Sequence, residues 1–256
     1  MTVESPSPTD EFADDTQTAE RASEAIKVMV TALDTMVSAD GVLIAPGVSP
    51  RVFPIAYGWF AAVVRNSQLI ALAHHHGLRH ECAANARLIL QHTLALQWLV
   101  EGGEPAAAAV EDAQHRQMHA LIKEVVDTKW PVPAGLEVPS GSPPPKKGRL
   151  AEDFENFKHM CQLYDGGPQL YVPYKLTSSN AHPSYTGAMA YLVPDTGQLS
   201  TTAVTDTYAH LIDSTRCLIQ AGHAFAPLLA DTAVADAVGE AERTLGMQFG
   251  LWQRLP

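Results

Sequence analysis

The stretch ARLILQHTLALQWLV, residues 86–100, decides the fold class. It is apolar at nearly every position and lacks the strict alternation of a half-buried strand, so it predicts a buried helix. Apolar side chains at spacings of three and four residues recur along most of the remaining chain, which is typical of helices that bury one face. We expect helices at about 16–38, 52–76, 78–101, 105–130, 150–164, 173–182, 201–229 and 231–246. The sequence therefore predicts an all-α bundle of seven or eight helices.

The distribution of prolines divides this bundle into two halves. Residues 131–149 hold six of the 18 prolines and cannot form regular structure. We interpret them as an exposed connection between a first helical half, 16–130, and a second half, 150–256. Residues 1–15 are acidic and rich in Ser, Thr and Pro, which predicts a disordered tail ahead of a single helical domain, 16–256.

Charge and composition count against several classes of function, tight DNA or RNA binding among them, without excluding the last. The chain has a formal net charge of −11, and its first 20 residues hold six acidic side chains and no Lys or Arg. No basic block resembles a nucleic-acid footprint. No apolar run reaches the ~20 residues that span a bilayer, and no signal peptide is recognisable. The three cysteines are widely spaced and lie in apolar helical patterns, so we expect buried free thiols in a cytoplasmic protein that does not bind membranes.

Polar residues interrupt the apolar helix predicted for residues 86–100. Arg87 and Gln91 are four residues apart and share one helix face, while His92 points about 140° away from Arg87, given ~3.6 residues per turn. The apolar neighbours leave little room for a solvent-facing side. At least one of these groups is therefore expected to be buried, and a buried guanidinium must find acceptors.

A second polar stripe, in YKLTSSNAHPS (174–184), offers such acceptors. Tyr174, Ser178 and His182 recur every four residues, with Ser179 beside them. Pro183 places His182 at a helix C-terminus, where the helix dipole favours a protonated ring. One interpretation is a solvated helix face. The other is a cluster with Arg87 and Gln91 that binds a small anionic ligand or holds the two halves together.

These two patterns together resemble a bacterial helical family of unknown function that is common in actinobacteria. The resemblance rests on Arg87 followed four residues later by Gln91, and on Tyr174 followed by Ser178, Ser179 and His182 in a Ser-Ser-x-x-His-Pro-Ser sequence. It spans roughly residues 60–230. It implies an all-helical fold with a polar core site, and it implies no activity.

The same apolar helix also resembles the HEPN ribonucleases through the spacing of Arg87 and His92, an Arg-x4-His pattern. This resemblance implies a helical and usually dimeric enzyme that cleaves RNA in a toxin–antitoxin or phage-defence system without a metal. His92 would then move a proton to or from the 2′-hydroxyl or the leaving oxygen, and Arg87 would hold the scissile phosphate.

The remaining histidines predict no cofactor or metal site. His115 and His119 lie one turn apart beside Asp112, but no third ligand is near in sequence, so a solvated face is the preferred interpretation. His74, His75 and His76 precede Gly77, where cationic side chains suit a helix end. Large apolar helices with many small residues predict a homodimer.

Overall fold

A computed structural model describes residues 16–38, 41–131, 147–194, 196–204 and 208–256. Within these ranges the chain forms nine α-helices and one short 3₁₀ helix, with three isolated β-bridges and no strand, which confirms the all-α prediction. The helices are α1 Thr16–Ser38, α2 Val52–His75, α3 Ala83–Asp127, α4 Arg149–Glu155, α5 Phe157–Gln162, α6 Gly167–Ala181, α7 Tyr185–Met189, α8 Ala209–Phe225 and α9 Ala233–Leu245, and the 3₁₀ helix is Ala226–Leu228. Each described helix is too short or too polar to cross a bilayer.

The core lies where α2, α3 and α8 meet, with α1 and α9 packed against α8. Phe60 of α2 and Phe225 of α8 stack at 4.6 Å between ring centroids. Small residues let the backbones approach closely: a Cβ added to Gly222 of α8 would lie 2.4 Å from Val238 of α9 and 2.8 Å from Met29 of α1. Helices from both predicted halves therefore share one core.

Four predicted helix boundaries were wrong. The third helix begins at Ala83, five residues later than expected. The break predicted at Gly102-Gly103 is confirmed, because Gly103, with φ of 57° and ψ of −140°, is not helical and α3 bends there into its second part. The helix predicted for 150–164 is two helices, because Asn156 takes an extended conformation and its side chain caps α5. The helix predicted at 173 begins at Gly167, with a proline in its first turn.

The fourth correction concerns the helix predicted from residue 201. Here the Ser200 hydroxyl donates to the carbonyl oxygen of Thr202 and accepts from its backbone N–H, which competes with helix formation. The helix α8 begins only at Ala209, and Val204, expected to point inward, is exposed. The predicted acidic tail and most of the proline-rich connection, 132–146, lie outside the described residues.

The C-terminal residues after α9 cross the bundle as a strap, which we define as residues 247–256. Gly246, with φ of 78°, ends α9. The buried amide of Gln97 then donates to the carbonyl oxygen of Trp252 at 2.6 Å and accepts from its backbone N–H at 3.1 Å. The backbone N–H of Leu255 donates to Leu163 at 2.8 Å. The strap is thus fixed at both the α3 and the α5 side.

Candidate functional site

The structure places Arg87 of α3 against two residues of the polar stripe on and after α6. Its Nη2 donates to the Tyr174 hydroxyl at 2.8 Å, and its Nη1 lies 2.8 Å from Nε2 of His182. The guanidinium carbon lies 4.8 Å from the centre of the Tyr174 ring, so a cation–π contact accompanies the hydrogen bond. We call Arg87, Tyr174 and His182 the arginine cluster. It joins α3, from the first predicted half, to α6, from the second.

Aromatic packing fixes the position of Tyr174. Its ring lies 4.5 Å from the Phe157 ring and 5.7 Å from the Tyr171 ring. A ring held on two sides loses little further freedom when its hydroxyl accepts from a guanidinium. The hydroxyl is therefore a pre-positioned acceptor for Arg87.

The contact with Arg87 fixes which atom of His182 accepts. A guanidinium can only donate, so Nε2 of His182 is the acceptor. His182 lies immediately after α6, as its place before Pro183 predicted.

The charge on Arg87 has no anionic partner among the described residues. Its two bonded groups are a phenol and an imidazole rather than carboxylates, and its Nε is buried without a hydrogen-bond acceptor. The carboxylate of Glu81, which shares a cavity with His182, accepts instead from the Tyr191 hydroxyl at 2.8 Å. A partly buried guanidinium without a carboxylate is unusual, because burial of a charge is costly unless an opposite charge offsets it.

The other predicted stripe residues do not join this cluster. Ser178 donates to the carbonyl oxygen of Tyr174 at 2.6 Å, and Ser179 donates to that of Leu176 at 2.7 Å. Both hydroxyls are thus used within α6. Gln91 faces a separate cavity, described next, and makes no hydrogen bond to the stripe among the described contacts.

His92 lies on a different side of α3 from Arg87. Its Nδ1 donates to the carbonyl oxygen of Leu88 at 2.9 Å, and its ring meets the Trp59 ring edge to face at 6.4 Å. Together with Gln91 and Glu155 it lines a cavity of about 210 Å³ between α2, α3, α4 and α5. Within one chain, Arg87 and His92 therefore contact different elements.

His74 behaves differently from the helix-capping role that its position suggested. It is only 7% exposed, its ring stacks on Tyr208 at 6.1 Å, and neither ring nitrogen has a partner among the described residues. Loss of hydration lowers its pKa to about 4, and the positive charge of Arg79 adds to this. His74 is thus neutral at pH 7, whereas its neighbours His75 and His76 are exposed.

Sequence reasoning missed a polar group on α8. His210, Asp213 and Ser214 follow the three- and four-residue spacing of one helix face, which could have signalled it, but α8 was interpreted as an inward apolar helix. These residues line a further cavity between α3, α6, α8 and the strap. The position of the strap, which completes that cavity, has no signal in the local sequence.

The fold and the arginine cluster define the protein as an all-α bundle with an arginine-centred polar contact between its two halves. Beyond that class, no family model, curated protein or solved structure matches this chain.

Proposed function

We propose that this is a non-enzymatic, regulatory or ligand-binding helical protein that binds a small anion at the arginine cluster. The observation that carries the proposal is the guanidinium of Arg87, which has no carboxylate partner among the described residues and a buried Nε with no acceptor. A carboxylate or phosphate would supply the missing charge through the bidentate geometry that arginine prefers.

The surroundings of His182 supply the route for such an anion. His182 is exposed, and it lines a cavity of about 510 Å³ between the start of α3 and α7, together with His80 and Ser184. Rotation of its ring away from Nη1 of Arg87 would open the guanidinium to this cavity. The anion would replace a neutral acceptor by a charged one, which strengthens the hydrogen bond.

The experiment measures the melting temperature of the full chain with increasing inorganic phosphate or acetate. At a phosphate concentration 100 times its Kd, we expect a rise of roughly 5–10 °C for the wild type. Arg87→Gln should abolish the rise. Arg65→Gln removes one surface charge that pairs with Asp34 and should retain it.

Two results would contradict the proposal. An equal rise in all variants would indicate a general salt effect. The second result is a wild type that fails to respond to either anion while Arg87→Gln melts at a lower temperature. That result would mean that Arg87 stabilises the fold and does not bind an anion. The variant Arg87→Lys, which keeps the charge, separates a loss of binding from a loss of folding.

The ribonuclease hypothesis is tested separately, with variants of Arg87 and His92. Total RNA is incubated with the wild type, His92→Ala and Arg87→Ala in excess chelator. We expect intact RNA in all three, since Arg87 and His92 contact different elements. Cleavage by the wild type alone would replace the anion-binding proposal by a metal-independent nuclease.

We also propose that the protein is a cytoplasmic homodimer. Three buried free thiols support the location. Exposed apolar side chains along the second part of α3 and just after it, including Leu121 and Trp130, support a second copy as partner. Light scattering coupled to size exclusion gives the mass, and a monomer at micromolar concentration would refute the dimer.

A further inference from the structure

A cavity of about 280 Å³ lies beside the arginine cluster. Its walls come from α3, α6, α8 and the strap. They are mainly apolar: Leu90, Leu170, Pro173, Phe249 and Trp252. The volume is near the lower end of the roughly 300–1,000 Å³ of ligand pockets, which fits a molecule smaller than a typical drug.

Two opposite charges stand together in this apolar cavity. Asp213 and Arg216, one turn apart on α8, form an ion pair of 3.6 Å between Oδ1 and Nη1. Their side chains remain 50% and 39% exposed, so both groups are at the mouth of the cavity and within reach of a ligand. A carboxylate has about four acceptor sites, so a contact of this length leaves the Asp213 oxygens able to accept further hydrogen bonds.

A buried hydroxyl adds an independent observation. Ser214 follows Asp213 in the chain, lines the same cavity and is 2% exposed. Its Oγ has no hydrogen-bond partner among the described residues. A buried hydroxyl without a partner is costly, so native proteins rarely leave one unless something else satisfies it.

We propose that this cavity binds a free α-amino acid with an apolar side chain. The ammonium group would donate to the Asp213 carboxylate and to Oγ of Ser214, and the carboxylate would accept from Arg216. The apolar side chain would lie against Leu90 and Trp252. A zwitterion suits the cavity because its charged wall is electrically balanced, whereas a simple cation or anion would leave one of the two charges unmatched.

The titration behaviour of the neighbouring groups agrees with this ligand. Loss of hydration raises the pKa of the Asp213 carboxyl, against the opposing influence of Arg216, so a bound ammonium would restore a favourable environment for the carboxylate. Burial lowers the pKa of His210 to about 4, which leaves its ring uncharged at pH 7. Burial also raises the pKa of Cys217 to about 12, so its thiol is protonated and does not act as a nucleophile toward the ligand.

The walls of the cavity are held in place without a ligand. The two hydrogen bonds of Gln97 fix Trp252, and Gln220 donates to the carbonyl oxygen of Gly250 at 3.3 Å. A preformed cavity spends little binding free energy on ordering the strap. Because none of its lining residues belongs to the arginine cluster, this inference is independent of the anion-binding proposal.

The test is isothermal titration calorimetry of the full chain with L-leucine and L-phenylalanine. Two analogues each lack one charge: phenethylamine has no carboxylate, and 3-phenylpropionate has no ammonium. We expect L-phenylalanine to bind at least roughly tenfold more tightly than either analogue, the usual gain from one charge-assisted hydrogen bond.

Variants then assign the binding to the cavity. Asp213→Asn and Ser214→Ala should each weaken binding of L-phenylalanine roughly tenfold or more. Leu170→Trp should block it by filling the cavity. Asp34→Asn, which removes a carboxylate on α1, is the matched control and should bind like the wild type. Circular dichroism of each variant separates loss of binding from loss of folding.

Each remaining outcome overturns the proposal. No binding of either amino acid to the folded wild type would show that the cavity is not an amino-acid site. Phenethylamine binding as tightly as L-phenylalanine would indicate a site for amines. Unchanged affinity in both Ser214→Ala and Leu170→Trp would place the bound molecule elsewhere.

Discussion

Replacing the buried His74 by phenylalanine should remove part of the acid sensitivity of the fold. His74 is 7% exposed and its ring nitrogens lack partners among the described residues, so the folded chain resists its protonation. Its pKa is lowered from 6.5 to about 4, first by loss of hydration and then by the charge of Arg79. Phenylalanine at this position keeps an aromatic ring against Tyr208 and cannot titrate.

The sign and size of the effect follow from proton linkage. Below pH 6.5 the unfolded chain takes up a proton on His74 that the folded chain does not, so stability falls as the pH drops from about 6.5 to about 4. With these two pKa values, the wild type loses about 2 kcal/mol through His74 alone between pH 7 and pH 5. The variant should not lose this amount.

The assay is urea unfolding of the wild type and His74→Phe at pH 7, 6 and 5. Between pH 7 and pH 5, we expect the wild type to lose about 2 kcal/mol more unfolding free energy than the variant loses. His119→Gln, at an exposed position of α3, should follow the wild type at every pH. A difference that stays constant from pH 7 to pH 5 would refute the reasoning, because it would mean that His74 titrates alike in both states.

Three further predictions test the packing of helices and strap. Gly222→Ala should destabilise the fold by about 1–3 kcal/mol in thermal unfolding, because its Cβ has no room, whereas Gly58→Ala on α2, which meets nothing within 4 Å, should stabilise it by about 0.5–1 kcal/mol. Tyr174→Phe should cost about 1.5–3 kcal/mol in urea unfolding through its lost bond to a charged group. Gln97→Leu should release Trp252, seen as faster hydrogen exchange in the strap. Equal effects of the two alanine variants, full stability of Tyr174→Phe, or unchanged exchange in Gln97→Leu would each contradict its prediction.

The elements that could be predicted from the sequence are those whose helical pattern continues without local competition. Helix α1 has the predicted bounds, 16–38, because its buried residues keep the three- and four-residue spacing throughout. The same pattern failed at Asn156 and Ser200, where short polar side chains hydrogen-bond to nearby backbone and favour a different conformation. One such side chain does not change the apolar periodicity of the long segment around it. The periodicity therefore predicted a continuous helix where the backbone departs from one.

Both candidate sites depend on contacts between distant parts of the chain. The sequence could therefore indicate that Arg87 needs a partner, but it could not indicate the cavity beside Asp213. The need of Arg87 for an acceptor is a local inference, and in the structure the Tyr174 hydroxyl supplies one. The cavity beside Asp213 and Ser214 is different, because it exists only once the strap lies across α8. That position depends on Gln97, which is 155 residues from Trp252.

Helix α6 connects the two proposed sites, so their separation is a matter of experiment. Its side chains Leu170, Tyr171 and Tyr174 pack half-buried against the core. The contacts of Tyr174 with Arg87 and Phe157 add to this packing. Because Pro173 and Thr177, on the same helix, line the cavity beside Asp213, a shift of α6 in an Arg87 variant would alter both sites. Loss of phosphate binding in Arg87→Gln is therefore specific only if that variant still binds L-phenylalanine.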